Sequence, residues 1–231
     1  MQRAGLLAPM IWLACAGLVW ANSEAPVAEG GGQTAVTAAP TVPTAFDAAV
    51  AAYRAGDVGA AFAQFLILAR AEMPQAQFNL ALLYRQGEGV PQNRREALYW
   101  AWRARVGGLP QAGVLVADLA PTVDPDQRGG LADRLLADLA PARNAADGRM
   151  IAASALIEAE LRPEPDAVQV YVWYSIAAAL SAAGAATARD AGFAALSPED
   201  QAGAEDAALQ GFQAWCADVT VPVAACDAVV D

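Results

Sequence analysis

Histidine and lysine are both missing from this 231-residue chain. Without histidine there is no serine–histidine or cysteine–histidine pair for nucleophilic catalysis, and no imidazole to hold a metal. Without lysine there is no serine–lysine dyad and no Schiff base. Carboxylate chemistry is what remains. Cysteine is also scarce: Cys15 lies in an apolar N-terminal run, which leaves Cys216 and Cys226. Positive charge is in short supply too. The 14 basic residues, all arginine, face 25 acids, for a formal net charge of −11. Such a surface does not suit nucleic acid or anionic membrane, both of which need cationic partners. It suits a basic partner protein, or simple solubility. Alanine dominates and glycine-turn punctuation is sparse, which favours helix over sheet.

The stretch from Ala76 to Ala112 sets the plan of the chain. Gln77 to Gln86 is helix-compatible and apolar on nearly all sides, so that helix must be sandwiched between others. Gly87 stops it, Gly89 permits a second unusual backbone angle, and Val90-Pro91 turns the chain. Asn93 followed by Glu96 has the form of a capping box for a second helix. That helix places Ala97, Trp100, Ala101 and Ala104 on one face. The same stripe occurs at Phe62, Phe65, Leu66, Ala69, at Ala132, Leu135, Leu136, Leu139, and at Val170, Trp173, Tyr174, Ala177. Its first members are 35, 35 and 38 residues apart. Periods of this size indicate stacked helix pairs. The expected fold is all-α: an α-solenoid of about four antiparallel helix pairs over 46–217, closed by C-terminal capping helices.

At these residues the chain resembles the Sel-one-like repeat family, a relative of the tetratricopeptide repeat. The resemblance is carried by Ala76, Leu80, Tyr84, Gly87, Gly89, Val90, Ala97, Trp100 and Ala104, and again by Tyr171, Trp173, Tyr174, Ala177 and Ala178. It departs from the family pattern at Ala101 and Arg105, and the third and fourth units lack the glycine-x-glycine turn. The resemblance implies a protein–protein adaptor, often of a bacterial envelope, with few enzymes among its members.

The two ends read differently. Met1 to Ala21 has the layout of an export signal, with Arg3 at its start and a cut expected between Ala21 and Asn22. An uncleaved anchor and a lipoprotein at Cys15 are the alternatives. Residues 22–44 read as a linker of small residues, Pro40 and Pro43 among them, unable to bury enough apolar area to order itself. Export makes Cys216 and Cys226 a structural disulfide, which would pin the tail from Asp218 to Asp231 onto the last helix. Ser197-Pro198-Glu199-Asp200 opens that helix with a cap, a proline at its first position and acids in its first turn.

Candidates for chemistry are few. Gly87-Glu88-Gly89 follows a helix and not a strand, so it fails as a phosphate loop. The acid pairs Asp124/Asp126, Glu158/Glu160, Glu164/Asp166 and Glu205/Asp206 are sequence neighbours and read as solvated surface or helix-start charge. No catalytic residue, metal or cofactor is expected. For partner binding, Trp102, Tyr99, Arg95 and Arg103 are the candidates, since tryptophan, tyrosine and arginine dominate interface hot spots. The plainer reading packs Trp102 against the previous unit. Asn79 and Gln86 form a second candidate pair, facing either a binding groove or solvent. The sequence points to an exported, periplasmic or secreted adaptor or regulator that binds another protein. It is expected to have no membrane span once the signal is cut. An envelope enzyme acting on peptidoglycan or a β-lactam, and a passive structural protein, are the alternatives. The first is linked to relatives with a cysteine pair in every unit, which this chain lacks.

Overall fold

The computed structural model describes residues 42–227; the expected signal, its cut site and most of the expected linker lie outside them. Eleven α-helices fill the described residues, and no strand occurs among them. They are α1 (Val42–Arg54), α2 (Val58–Arg70), α3 (Pro74–Gln86), α4 (Arg94–Val106), α5 (Pro110–Leu119), α6 (Pro125–Asn144), α7 (Gly148–Leu161), α8 (Ala167–Ala179), α9 (Ala185–Ala195), α10 (Pro198–Asp218) and α11 (Ala224–Asp227). Neighbours in sequence pack in pairs, as expected of an all-α solenoid. One boundary moves: α1 begins at Val42, inside the stretch read as linker to residue 44. Pro43 falls in its first turn, where a missing N–H costs nothing.

The starts of the helices are capped as their side chains dictate. Asp57, Asn93, Asp124, Asp147, Asp166 and Ser197 each accept a backbone N–H of the first turn. The Asn93 box is half formed. Glu96 N–H donates to Asn93 Oδ1 at 3.1 Å, but the Glu96 carboxylate turns away to Arg134, and Asn93 N–H is taken by the Tyr84 carbonyl.

The ends show a period that the side chains conceal. After α2, α4, α6 and α8 the second residue past the helix has positive φ: Glu72, Gly108, Ala146 and Ser181. The next residue then donates its N–H five positions back, in the bonds 73→68, 109→104, 147→142 and 182→177. This is the six-to-one closure of a helix C-terminus, shared by these four ends and found also after α1, at Gly56 with the bond 57→52, and after α3, at Gly87 with the bond 88→83. Only one of the four positions is glycine, so the other three hold a left-handed conformation that costs about 1–2 kcal/mol for a residue with a Cβ. Ser181 is exposed. Ser181→Gly is therefore expected to stabilise the protein by about 0.5–1 kcal/mol, read as a thermal midpoint a few degrees higher. An unchanged or lower midpoint would contradict the assignment.

The main core runs from α1 to α7 and centres on α4, in which Ala97, Leu98, Tyr99, Trp100, Ala101, Trp102 and Ala104 are all buried. A second core joins Ile151 of α7, Val172 and Ile176 of α8, and Phe212 and Trp215 of α10. The stripe expected on α8 is offset. Tyr171, Val172, Ile176 and Ala177 are buried, while Val170, Trp173 and Tyr174 are only partly so. The reason is that α8 is held by α7, α9 and α10 together, so its deepest face is not the one that repeats α4. Cys216 and Cys226 form the disulfide, which ties α11 to α10. A loop that short contributes about 2–3 kcal/mol through the unfolded chain.

Candidate functional site

The residues singled out on α4 do not form one exposed surface. Trp102 is wholly buried and Tyr99 is 4% exposed, because α4 lies among α3, α5 and α6 and has no free side. The plainer reading, in which Trp102 packs against a neighbouring unit, agrees with this burial. Arg103 joins them in a clamp between units. Its guanidinium pairs with Glu72 in the α2–α3 turn and with Asp138 of α6 at 3.2 Å, and donates to the Tyr99 hydroxyl at 2.8 Å. Tyr99 in turn donates to Asp138 at 2.7 Å. Burial first, and then that bond to a carboxylate, hold the Tyr99 phenol above its usual pKa. Arg134 lies over the Tyr99 ring at 3.6 Å and binds Glu96. Arg105 stacks on Trp102 at 4.7 Å and reaches both oxygens of Glu160 on α7.

Two further expectations shift. Glu158 is buried, not solvated, and binds Arg162 Nε at 2.6 Å, while Glu160 is the partner of Arg105. One helical turn separates Glu158 from Arg162, and only that cation makes the burial affordable. Asn79 is also buried, with its amide donating to the Gln75 carbonyl. Gln86 is partly exposed, and Arg95 stands exposed beside Arg94. Gly87 and Gly89 hold the left-handed turns expected of them, at φ +76° and +71°. The structure thus turns most of the candidate set inward.

What it opens instead is a valley of about 510 Å³ over α8 and α10, ending at the last turn of α6. Its wall on α8 carries Asp166, Gln169, Val172, Trp173 and Ile176 at helical spacing; its wall on α10 carries Ala207, Gln210, Gly211, Ala214, Trp215 and Asp218. Ten or eleven residues of helix give it a length of about 15 Å. Gly211 sets its depth: a Cβ there would lie 2.4 Å from Val172 Cγ1, so only glycine lets the two helices close. Arg143 and Asn144 of α6 form its end. Pro141 has no N–H to bind the carbonyl four residues back, and beyond it the Arg143 side chain turns back through Nη1 to the Leu136 carbonyl at 2.8 Å and Ser154 Oγ at 3.1 Å. Its guanidinium stands 5.1 Å from the centre of the Trp173 ring. Trp215 is fixed from the other side, its indole N–H donating to the Arg143 carbonyl at 3.1 Å. Burial alone pulls the Arg143 pKa below its ordinary value.

In the sequence Trp173 reads as a member of the repeat stripe, and nothing there singles out Arg143 or Trp215. The signal was present in residue type, tryptophan and arginine, but the three belong to three helices up to 72 residues apart.

Residues 74–104, from the start of α3 into the last turn of α4, match the family profile of the Sel1 repeat. This chain carries a Sel1 repeat. Such repeats mediate protein–protein interaction and are not typically enzymatic. No curated protein matches the chain. Around the Sel1 repeat the same helix-end closure recurs in the other units, so the match marks one unit of a longer array. Among the described residues, no helix is long and apolar enough to cross a membrane, and no three acids or cysteines group as a metal site would need.

Proposed function

We propose that this protein is an exported, periplasmic adaptor or regulator that binds another protein in the valley between α8 and α10. The observation that carries this reading is the Arg143–Trp173–Trp215 constellation beside an array containing a Sel1 repeat. A half-buried tryptophan, a stacked guanidinium and a second tryptophan are the groups that concentrate binding energy in interfaces. Around them the walls are mainly alanine, valine, isoleucine and glutamine, with Asp166 and Asp218 at the helix ends. The disulfide at Cys216–Cys226 supports an oxidising compartment, and the N-terminal segment has the layout of an export signal.

Crosslinking capture from an envelope extract tests it. The protein should retrieve one dominant partner, and Trp173→Ala should weaken its capture by ~30-fold or more, as expected when a hot-spot tryptophan is truncated. Equal capture by Trp173→Ala would move the binding face elsewhere. A blank from folded protein would remove the adaptor reading.

A further inference from the structure

The valley has one cation, Arg143, and two carboxylates, Asp166 and Asp218, neither of which forms an ion pair with it. Of the partly exposed arginines in the second half of the array, Arg162 is held by Glu158 and Asp133. Arg143 differs. Its Nη1 is occupied by a carbonyl and a hydroxyl, both neutral, and no carboxylate among the described residues pairs with it. Burial lowers its pKa. Arg143 is only partly buried and has no ion-pair partner among the described residues, and a carboxylate that reached its remaining N–H groups would make short, charge-assisted bonds. The guanidinium stands over the Trp173 ring, 5.1 Å from its centre, and its planar fork of N–H donors matches a carboxylate.

The rest of the lining says what surrounds that anion. Val172, Trp173, Ile176 and Trp215 supply apolar contact. Asp166, which caps the start of α8, and Asp218, the last residue of α10, mark the helix ends with negative charge. The whole chain adds a field of net charge −11, which draws a basic segment.

We infer that the valley takes an amphipathic segment of a partner protein that sets one aspartate or glutamate side chain on Arg143, between apolar residues on Trp173 and Trp215, with basic residues outside them. This rests on the adaptor reading and names the partner class of the same site. It requires an acid in a segment otherwise selected for positive charge, which a general attraction to an acidic protein would not produce.

A display library of twelve-residue peptides, panned on the purified full chain, provides the probe. Enriched peptides should share an acidic residue within one helical turn of leucine or an aromatic. For a synthetic copy of the best of them, Glu→Gln (or Asp→Asn) should raise the Kd at least ten-fold on the unaltered protein. That comparison needs no protein variant. On Arg143→Gln, checked for fold by circular dichroism, the two peptides should bind alike; on Trp173→Ala both should weaken together. Binders that ignore the acid, or that bind Trp173→Ala unchanged, overturn this inference and leave an adaptor with another epitope. No enriched peptide, joined to a blank in envelope capture, overturns both.

Discussion

Gly89→Ala is expected to lower the stability of the array by about 3–5 kcal/mol, the range reached when a substitution forces backbone apart in a packed interior. Two terms add. The residue sits at φ +71°, which costs a side chain about 1–2 kcal/mol before any contact is considered. The added Cβ then lies 2.4 Å from the Val58 carbonyl oxygen and 2.9 Å from its carbon. Both are backbone at the start of α2, so relief requires the first pair to shift against the second, not a side chain to swing. For an array of this size the thermal midpoint should fall by about 10 °C or more. Gly87→Ala is the internal comparison. Its φ is similar, at +76°, but its Cβ would meet Gln92 at 3.2 Å, a neighbour in a loop. It should cost only the conformational part, about 1–2 kcal/mol. Thermal melts that place the two variants together would refute the distinction.

Trp102→Ala should be comparably damaging, at about 3–5 kcal/mol for an emptied aromatic site. Trp102 is completely enclosed, and Arg105 over its ring carries the bridge to Glu160, so two ties fail at once. Trp102→Phe separates bulk from chemistry. The Trp102 indole N–H is buried with no acceptor, so phenylalanine removes an unsatisfied donor while giving up part of the volume. The opposed terms should leave that variant within about 1.5 kcal/mol of the parent. The pair also bears on function. If α4 contacts a partner directly, Trp102→Phe should disturb capture; if α4 is interior, capture survives Trp102→Phe and disappears only with the fold in Trp102→Ala. Denaturant unfolding in parallel with capture decides between them.

These residues show what a sequence of this kind can and cannot convey. The caps at Asp57, Asn93, Asp166 and Ser197 are local chemistry, written within four residues of each other, and the helix starts follow directly. The stripe through Ala97, Trp100, Ala101 and Ala104 is also local, and a period near 35 multiplied its weight. The turns at Glu72, Ala146 and Ser181 were not legible, because there the packing of successive units imposes a conformation that the residue itself disfavours. For Trp102 the sequence offered both an interior and an interface reading, and for Tyr99 only the second, since whether a helix has a free side depends on how many neighbours it acquires. Glu158 reads as surface in a string of alternating acids; its partner Arg162 stands four residues on, but the burial of the pair and the tie of Arg162 to Asp133 come only from the structure. The valley is the extreme case. Its chemistry comes from α6, α8 and α10, and no window on the sequence holds Arg143, Trp173 and Trp215 at once.

The bond from the Trp215 indole to the Arg143 carbonyl, with the Thr220 N–H and hydroxyl on the Asn144 carbonyl at 2.7 and 2.9 Å, also fixes an order of events. The end of α6 lies 72 residues before the group that closes it. Until α10 docks, Trp173 and Arg143 have no facing wall, so on the proposed reading a chain cut before α10 would not hold its partner. Docking of α10 is thus the step that completes the valley.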